Sequence, residues 1–599
     1  MPRGLFLQKM GVNMEVLRHL KDFMKENKWQ YIVGVIVLVI VDILQLITPR
    51  IIGNVVDDIG SGTISNGQVL YYALLIMIIA CFIAFFRYMW RIKIIGSSRV
   101  LEFWMRSKIF KHLEGLSKNF FNYRKTGDLM AHATNDIQAV RMAFGPGVIM
   151  LTDSIFLTIA TIGVMSTSIS PTLTLLALIP LPILAIIVTF LGQKIQKRYK
   201  LVQESFSNMS DRTQESFTGI RVIKSYVQEE EELLRFSNAS EEYVFHNMKL
   251  VRIFGFMFPM IGFIAAISFL VALYIGGNMV IEGRISLGEL VAFITYLGML
   301  TWPMMAIGWV INVIQRGLAS LKRINEILDA KPEVVDKEGV LPIENLNELA
   351  MHISIKNLSF KYPKSETYAV RNINLDIKPG ETLAVVGKTG SGKSTLASLF
   401  LRNYNIEEGE ISIGGVNVEK IPIKTLRKAT GYVPQEAFLF SSTIAENIAF
   451  SDPNLQFEKI ENAAKTASVY DDIMSFPQKF QTIVGEKGVT LSGGQKQRVS
   501  ISRALIKDPS ILILDDCLSA VDTKTEEAIL EHLQDVMKDR TSIIISHRIS
   551  AIKNADEIIF MEDGEIVERG KHIELLRLGG RYSDLYKKQL LEEKLEEEV

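Results

Sequence analysis

The run Gly387-Lys388-Thr389-Gly390-Ser391-Gly392-Lys393-Ser394, followed by Thr395, fits the pattern G-x-x-x-x-G-K-[ST] at every fixed position. Residues of these types at this spacing bind polyphosphate. The glycines let the backbone curl until its amide N–H groups point at phosphate oxygens. A helix opening just behind the loop adds the positive end of its dipole. Lys393 is placed to reach the β- and γ-phosphates, and Ser394 to ligate Mg²⁺.

The neighbouring sequence supplies the elements that such a loop needs. Thr382–Val386 is an apolar, β-like run entering it, and Ser394–Leu401 reads as the helix leaving it. From Met351 onward, short apolar strands alternate with turns, as in an α/β domain. Farther along, Ile511-Leu512-Ile513-Leu514-Asp515 is a buried-strand run ending in an acid. It fits the Mg²⁺-side carboxylate of a phosphate-loop ATPase.

The rest of the chain has a different character. Of 599 residues, 48% are hydrophobic and 22% charged, and the apolar ones crowd into the first half. A purely soluble protein, a disordered chain and a disulfide scaffold are therefore excluded. Lys+Arg and Asp+Glu number 66 each, so net charge offers no case for nucleic acid as a partner. The two cysteines, Cys81 and Cys517, make neither a disulfide framework nor a CxxC metal site.

A hydrocarbon core about 30 Å thick needs about 20 helical residues. Six segments reach that length: Tyr31–Ile47, Val69–Trp90, Gly145–Ser168, Pro171–Gln193, Phe254–Val280 and Leu287–Val313. The first starts too late and runs too long for a cleaved signal, and reads as a retained span. Basic residues cluster before span one, between spans two and three, and between spans four and five. Both termini and these two long connections are therefore expected on the cytoplasmic side. Polar helical flanks predict that spans two to five extend well beyond the membrane.

Asp42, Arg87 and Asp153 fall within spans, where a charge costs a few kcal/mol unless paired or hydrated. The two acids fit either a polar pathway for cationic solutes or an interhelical pair, and Arg87 lies near a span end. Spans five and six carry Phe254, Phe256, Met257, Phe258, Met260, Met299, Trp302, Met304, Met305 and Trp309. Such residues suit an adaptable binding surface or ordinary packing, and packing is favoured for most of them.

Leu491-Ser492-Gly493-Gly494-Gln495 precedes a helix carrying Gln497, Arg498 and Arg503. With the phosphate loop and Asp515, this run resembles ATP-binding cassette (ABC) exporter half-transporters over nearly the whole chain. The resemblance implies an α-helical six-span transmembrane domain with long cytoplasmic helices, fused to an α/β phosphate-loop NTPase cassette. It places the membrane domain at 1–330, a linker at 331–350, the cassette at 351–590 and an acidic tail at 591–599. It implies that Tyr362 stacks on adenine and that Gln435 is the lid glutamine sensing Mg²⁺ and γ-phosphate. His547 takes the part of the switch histidine on the γ-phosphate. Thr482–Gly488 resembles an exporter-type loop contacting the membrane domain, and Ser519–Asp522 the loop crossing to a partner cassette. Phe120–Asp136 and Gln214–Tyr226 look like the two cytoplasmic coupling regions. In the family, two cassettes close head to tail on ATP. Ser492, Gly493, Gly494 and Gln495 of one chain then face the nucleotide held by the other, and the helix start offers an anion site.

One residue departs from the pattern. Asp516 follows Asp515 where competent members carry Glu, which polarises the attacking water. Asp is one methylene shorter, and a misplacement of about 1 Å can cost roughly 10²-fold in rate. The substitution resembles one subunit of bacterial heterodimeric multidrug exporters. The resemblance therefore implies MgATP-driven export of amphipathic, drug-like compounds across the cytoplasmic membrane. The expected partner is a second half-transporter, with a heterodimer preferred over a homodimer, and the chain's own site is expected to be slow. A lipid or peptide exporter shares this machinery, and an ATP-gated channel or membrane-tethered regulator is the alternative of another class. Six spans argue against a phosphate-loop enzyme with an incidental anchor.

Overall fold

A computed structural model describes residues 14–62, 64–485, 491–518 and 523–597. The chain divides into two compact units. One comprises Met1–Glu114 and Thr126–Ala330; the other comprises Gly115–Lys125 and Lys331–Val599.

The first unit contains six helices long and apolar enough to cross a membrane: α1 (Val16–Gly60), α2 (Asn66–Glu114), α3 (Thr126–Ser168), α4 (Pro171–Thr218), α5 (Glu229–Ile281) and α6 (Leu287–Leu328). They are 42 to 53 residues long, so each exceeds the roughly 30 Å that a span requires. The six-span expectation holds. The extension expected of spans two to five is shared by α1 and α6. Helix α1 runs on through Pro49 to Gly60, although a proline removes one backbone donor. Pro49 is buried, and neighbouring helices can compensate such a break in a membrane helix. The turns between helices are capped locally. Ser65 and Ser286 each form a capping box, with Gln68 and Glu289 respectively.

Helices α1 and α6 cross closely. A Cβ on Gly288 would lie 1.9 Å from the Gly53 carbonyl oxygen, so only glycine permits this approach. Asp57 completes the contact by accepting from the Gly288 amide at 2.6 Å. Phe82, Phe85, Ile159 and Ile186 are exposed, as lipid-facing residues would be. Asp42 is buried, and one oxygen each of Asp42 and Asp153 is buried without a hydrogen-bond partner. Arg87 donates to Gln45 at 3.2 Å, so it forms no direct bond with either acid among the described contacts. Phe256, Phe258 and Trp302 are exposed, whereas Met257, Met260 and Met299 pack on a buried core.

The second unit is an α/β cassette. A four-stranded antiparallel sheet joins β1 (Ile353–Phe360), β2 (Val370–Ile377) and a later strand to the short pair partner Val416–Asn417. The six-stranded sheet opens with β3 (Thr382–Gly387), and β4 (Glu408–Ile413) is the later strand of the first sheet. The six-stranded sheet continues with β5 (Thr430–Val433), β6 (Ile511–Asp515), β7 (Thr541–Ile545), β8 (Glu557–Glu562) and β9 (Glu565–Gly570). Its order is β9-β8-β3-β7-β6-β5. Strands β3, β5, β6, β7 and β8 run parallel, and β9 returns antiparallel.

The apolar runs at 382–387 and 511–515 are continuous because both faces of these strands are covered. Leu383 and Val385 join one core, and Ala384 and Val386 the other. Ile511 and Ile513 alternate with Leu512 and Leu514 in the same way. Four helices matter for the site: α7 (Lys393–Phe400), α8 (Gly493–Leu505), α9 (Thr523–Met537) and α10 (Arg581–Glu597).

Candidate nucleotide site

Strand register brings the chemical residues to one edge. Val385 pairs with Ile545, and Ile545 with Asp515. The phosphate loop, Asp515, Asp516 and His547 therefore all leave the sheet at its carboxyl end, where ligands bind in open parallel sheets.

The loop is shaped by contacts that exclude side chains. A Cβ on Gly387 would stand 2.1 Å from the Met561 carbonyl oxygen, and one on Gly392 would stand 2.2 Å from that of Ala369. Helix α7 begins at Lys393, and Gly392 caps it in a left-handed conformation. The Lys393 ammonium bonds the carbonyls of Gly387 at 2.9 Å and Lys388 at 2.7 Å, and Ser391 Oγ at 3.4 Å. Burial lowers its pKa, against the pull of Asp516 and Asp515. An incoming phosphate would offer this cation stronger partners than neutral carbonyls. Lys388 projects outward to Glu562 at 2.9 Å. Thr389 and Gly390 form the exposed tip, and Thr395 is buried at the start of α7.

Two residues expected at Mg²⁺ meet. Ser394 Oγ donates to Asp515 Oδ1 at 2.9 Å, and Tyr432 donates to Asp515 Oδ2 at 3.3 Å. Asp515 is almost fully buried, and burial raises its pKa despite these donors. A buried carboxylate beside a serine hydroxyl is a hard-oxygen pair of the kind Mg²⁺ takes, so the residues fit the ion. Gln435 lies exposed two residues beyond β5, while the described bonds of Asp515 go to Ser394 and Tyr432.

Asp516 takes a left-handed backbone conformation at φ 47° and is buried; its amide donates to the Ile545 carbonyl at 2.7 Å. His547 is half-buried. Burial lowers its pKa first and Lys393 second, while Asp516 and Asp515 oppose. These influences put His547 in the same electrostatic neighbourhood as the phosphate-loop lysine. Cys517 is buried, its thiol pushed up to about 12 by burial, so it is inert at neutral pH.

Tyr362 bonds Thr395 Oγ1 through its hydroxyl at 2.9 Å. Phe360 and Tyr404 meet its ring edge-on at centroid distances of 5.2 Å and 5.4 Å. Tyr404 in turn accepts from Asn122 Nδ2 at 2.7 Å. The segment Gly115–Lys125 clusters with the cassette and reaches the residues that hold Tyr362.

The signature residues sit elsewhere, at the head of a helical layer with its own core from Leu439 to Val499. Ser492 caps α8 with Gln495 in a capping box, and Gln495 Nε2 donates to Asp472 at 3.0 Å. Arg498 pairs with the same carboxylate at 2.7 Å. Ser492 and Gly493 are exposed, and Gly494 half-buried, so the positive end of a 13-residue helix faces outward. No described hydrogen bond joins these residues to the phosphate loop. Of the loop resembling the membrane-contacting segment, 486–488 lie outside the described residues, as do Ser519–Asp522.

Several supporting residues carry no sequence signal. Tyr432 and Tyr404 belong to this group, as do Glu526 and Gln589, which hold the His547 loop from two other helices; Asn122 lies in the coupling-like run Phe120–Asp136, but nothing there points to Tyr404. They act through tertiary contacts with no fixed spacing to a motif.

A six-helix membrane unit and a cassette with a phosphate loop, a Mg²⁺-side acid and a signature helix define an ATP-driven membrane transporter. Family comparison agrees: residues 31–304 match the ABC transporter transmembrane region and residues 370–519 match the ABC transporter cassette. The chain is 40% identical to the multidrug resistance-like ATP-binding protein MdlA of Escherichia coli over 584 residues, covering 98% of each chain. It is 38% identical to the probable multidrug resistance ABC transporter ATP-binding/permease protein YheI of Bacillus subtilis, covering 96% of this chain and 98% of that protein. Its fold matches the ATP-bound structure of a bacterial Atm1-family ABC exporter at a TM-score of 0.75 and 27% identity, over 93% of this chain and 99% of the other. The chain belongs to the ABC transporter family. It is an exporter half-transporter whose ATPase is coupled to transport.

Proposed function

We propose that the chain is one half of a heterodimeric exporter that moves amphipathic, drug-like compounds out of the cytoplasm. Support for the substrate class comes from the multidrug-like names of the two relatives above and from the exposed aromatic residues of α5 and α6. The geometry that carries the ATP-driven reading is the shared sheet edge of Lys393, Ser394, Asp515, Asp516 and His547.

In this reading ATP binds with its adenine on Tyr362 and its phosphates in Gly387–Thr395. Lys393 would exchange its loop carbonyls for phosphate oxygens. Ser394, Asp515 and Gln435 would hold Mg²⁺, which neutralises phosphate charge when bound. Burial and then Lys393 lower the pKa of His547, which would contact the γ-phosphate. Ser492, Gly493, Gly494 and Gln495 would close on the nucleotide of the partner chain, with Gln495 steadied by Asp472. Asp516 would position the attacking water from a carboxylate that reaches too short, so this site holds ATP and turns it over slowly. Both termini and the two long connections lie in the cytoplasm, following the basic residues beside the spans.

The test is ATP-dependent accumulation of a cationic amphipathic dye in inverted vesicles, with this chain alone and with a co-expressed half-transporter carrying Glu after its Mg²⁺-side Asp. Accumulation in the pair, lost with Lys393→Ala in this chain, is expected. Movement of a labelled lipid without dye uptake would shift the substrate class to lipid. Ion conductance on ATP binding, without accumulation, would overturn the exporter reading. Full activity of the chain alone would overturn the heterodimer.

A further inference from the structure

His547 leaves the sheet two residues past β7, and its loop is held by side chains from separate elements. The Ser546 amide donates to the Val385 carbonyl on β3 at 3.2 Å. From α9, Glu526 accepts from Ser550 Oγ at 3.0 Å and from the Arg548 guanidinium. Glu526 is almost fully buried. From α10, Gln589 makes two bonds: its Nε2 donates to the His547 carbonyl at 2.6 Å, and its Oε1 accepts from the Ile549 amide at 2.9 Å.

The Gln589 pair suits a primary amide. One end of the side chain must donate and the other accept, and the two backbone groups it joins lie on either side of Arg548. A carboxylate could accept from Ile549 but would set an oxygen against the His547 carbonyl. An apolar side chain could do neither. Gln589 is delivered by docking rather than by local sequence. Tyr582, Leu585 and Tyr586 share a helical face with it, and pack on the core that holds Ile549 and Ile552.

We propose that Gln589 is a positioning residue for His547, and that α10 thereby takes part in sensing the γ-phosphate. The proposal rests on the reading of His547 as the γ-phosphate contact. With both amide bonds made, the His547 backbone is fixed and its imidazole is held toward the loop of Lys393. Without them the loop keeps its anchors at Ser546 and Glu526, and the histidine loses its aim while the fold survives.

The experiment measures the affinities of ATP and ADP for the full chain in lipid nanodiscs, by competition against a fluorescent ATP analogue. The readout is the ratio of the ADP and ATP dissociation constants, which isolates the γ-phosphate. Gln589→Ala is expected to lower the ratio about ten-fold, as for one hydrogen bond to a charged group, with ADP affinity unchanged. Gln589→Glu, nearly isosteric, should lower it similarly. His547→Ala should do the same, and Gln589→Ala added to it should change nothing more. An unchanged ratio in Gln589→Ala, beside a reduced one in His547→Ala, overturns the Gln589 assignment alone. Additive losses also overturn it. An unchanged ratio in His547→Ala overturns the reading of the histidine and the proposal with it. Equal loss of ATP and ADP affinity in both Gln589 variants would mean a merely structural role.

Discussion

Restoring Glu at position 516 separates the reach of the carboxylate from everything else at the site. Asp516 sits at φ 47°, buried, with its amide tied to Ile545. Glu extends the same carboxylate by one methylene, a little over 1 Å. If placement limits the chemistry, a correction of that size is worth up to roughly 10²-fold in rate, or about 2.7 kcal/mol of barrier. The backbone opposes the change. Asp tolerates the left-handed region better than Glu because its short side chain bonds locally, and the conformation itself costs about 1–2 kcal/mol. Only part of that is an Asp–Glu difference, so stability should fall by about 1 kcal/mol or less. The assay is steady-state MgATPase of the purified chain in lipid, with melting followed in parallel. Asp516→Glu should raise turnover 10- to 100-fold at nearly unchanged KM, since the proposed phosphate contact of Lys393 and Mg²⁺ contact of Ser394 are untouched. A changed KM with constant kcat would place the effect on binding. Unchanged turnover in a folded variant would refute the argument that carboxylate reach limits this site.

Gly288→Ala should destabilise the α1–α6 crossing by about 1–3 kcal/mol, because the new methyl would meet the Gly53 carbonyl at 1.9 Å; thermal melting in detergent reads the loss, and an unchanged midpoint would refute the close crossing. Tyr404→Phe removes the acceptor for Asn122 and should weaken ATP binding by about three- to ten-fold through Tyr362, an effect worth about one hydrogen bond. GTP competition checks whether that loss is specific to adenine. His547 has its folded-state pKa lowered from 6.5 by burial and Lys393. The unfolded chain therefore takes up this proton first. The histidine adds no stability penalty above pH 6.5 and a growing one as pH falls through that value. Melting of the wild type and His547→Gln between pH 7.5 and 5.5 should show a shallower slope in the variant.

The order of these effects reflects how the site was legible. The phosphate loop, Asp515 and Ser492–Gln495 depend on residues adjacent in the chain, so their patterns survive in the sequence. Six apolar helices were legible for the same reason, since lipid demands about 20 apolar residues in a row. Helix length was less so: the first apolar run ends at Ile47, yet α1 continues through the buried Pro49 to Gly60 because packing outweighs one missing donor. Gln589 left no pattern at all, and Asn122 was legible only as part of the coupling-like run Phe120–Asp136, with nothing there to name Tyr404 as its partner. Asn122 lies 282 residues from Tyr404, and Gln589 lies 42 from the His547 carbonyl it holds. Such residues act on the motif through docked elements, and any polar side chain of the right reach would have looked the same in the sequence. The acid pair Asp515 and Asp516 is thus legible at the end of six adjacent residues, Ile511 to Asp516. The surroundings of Tyr362 and His547 depend instead on residues distant in the chain, Asn122 and Gln589, and substitutions at those supports should change nucleotide binding while leaving every motif intact.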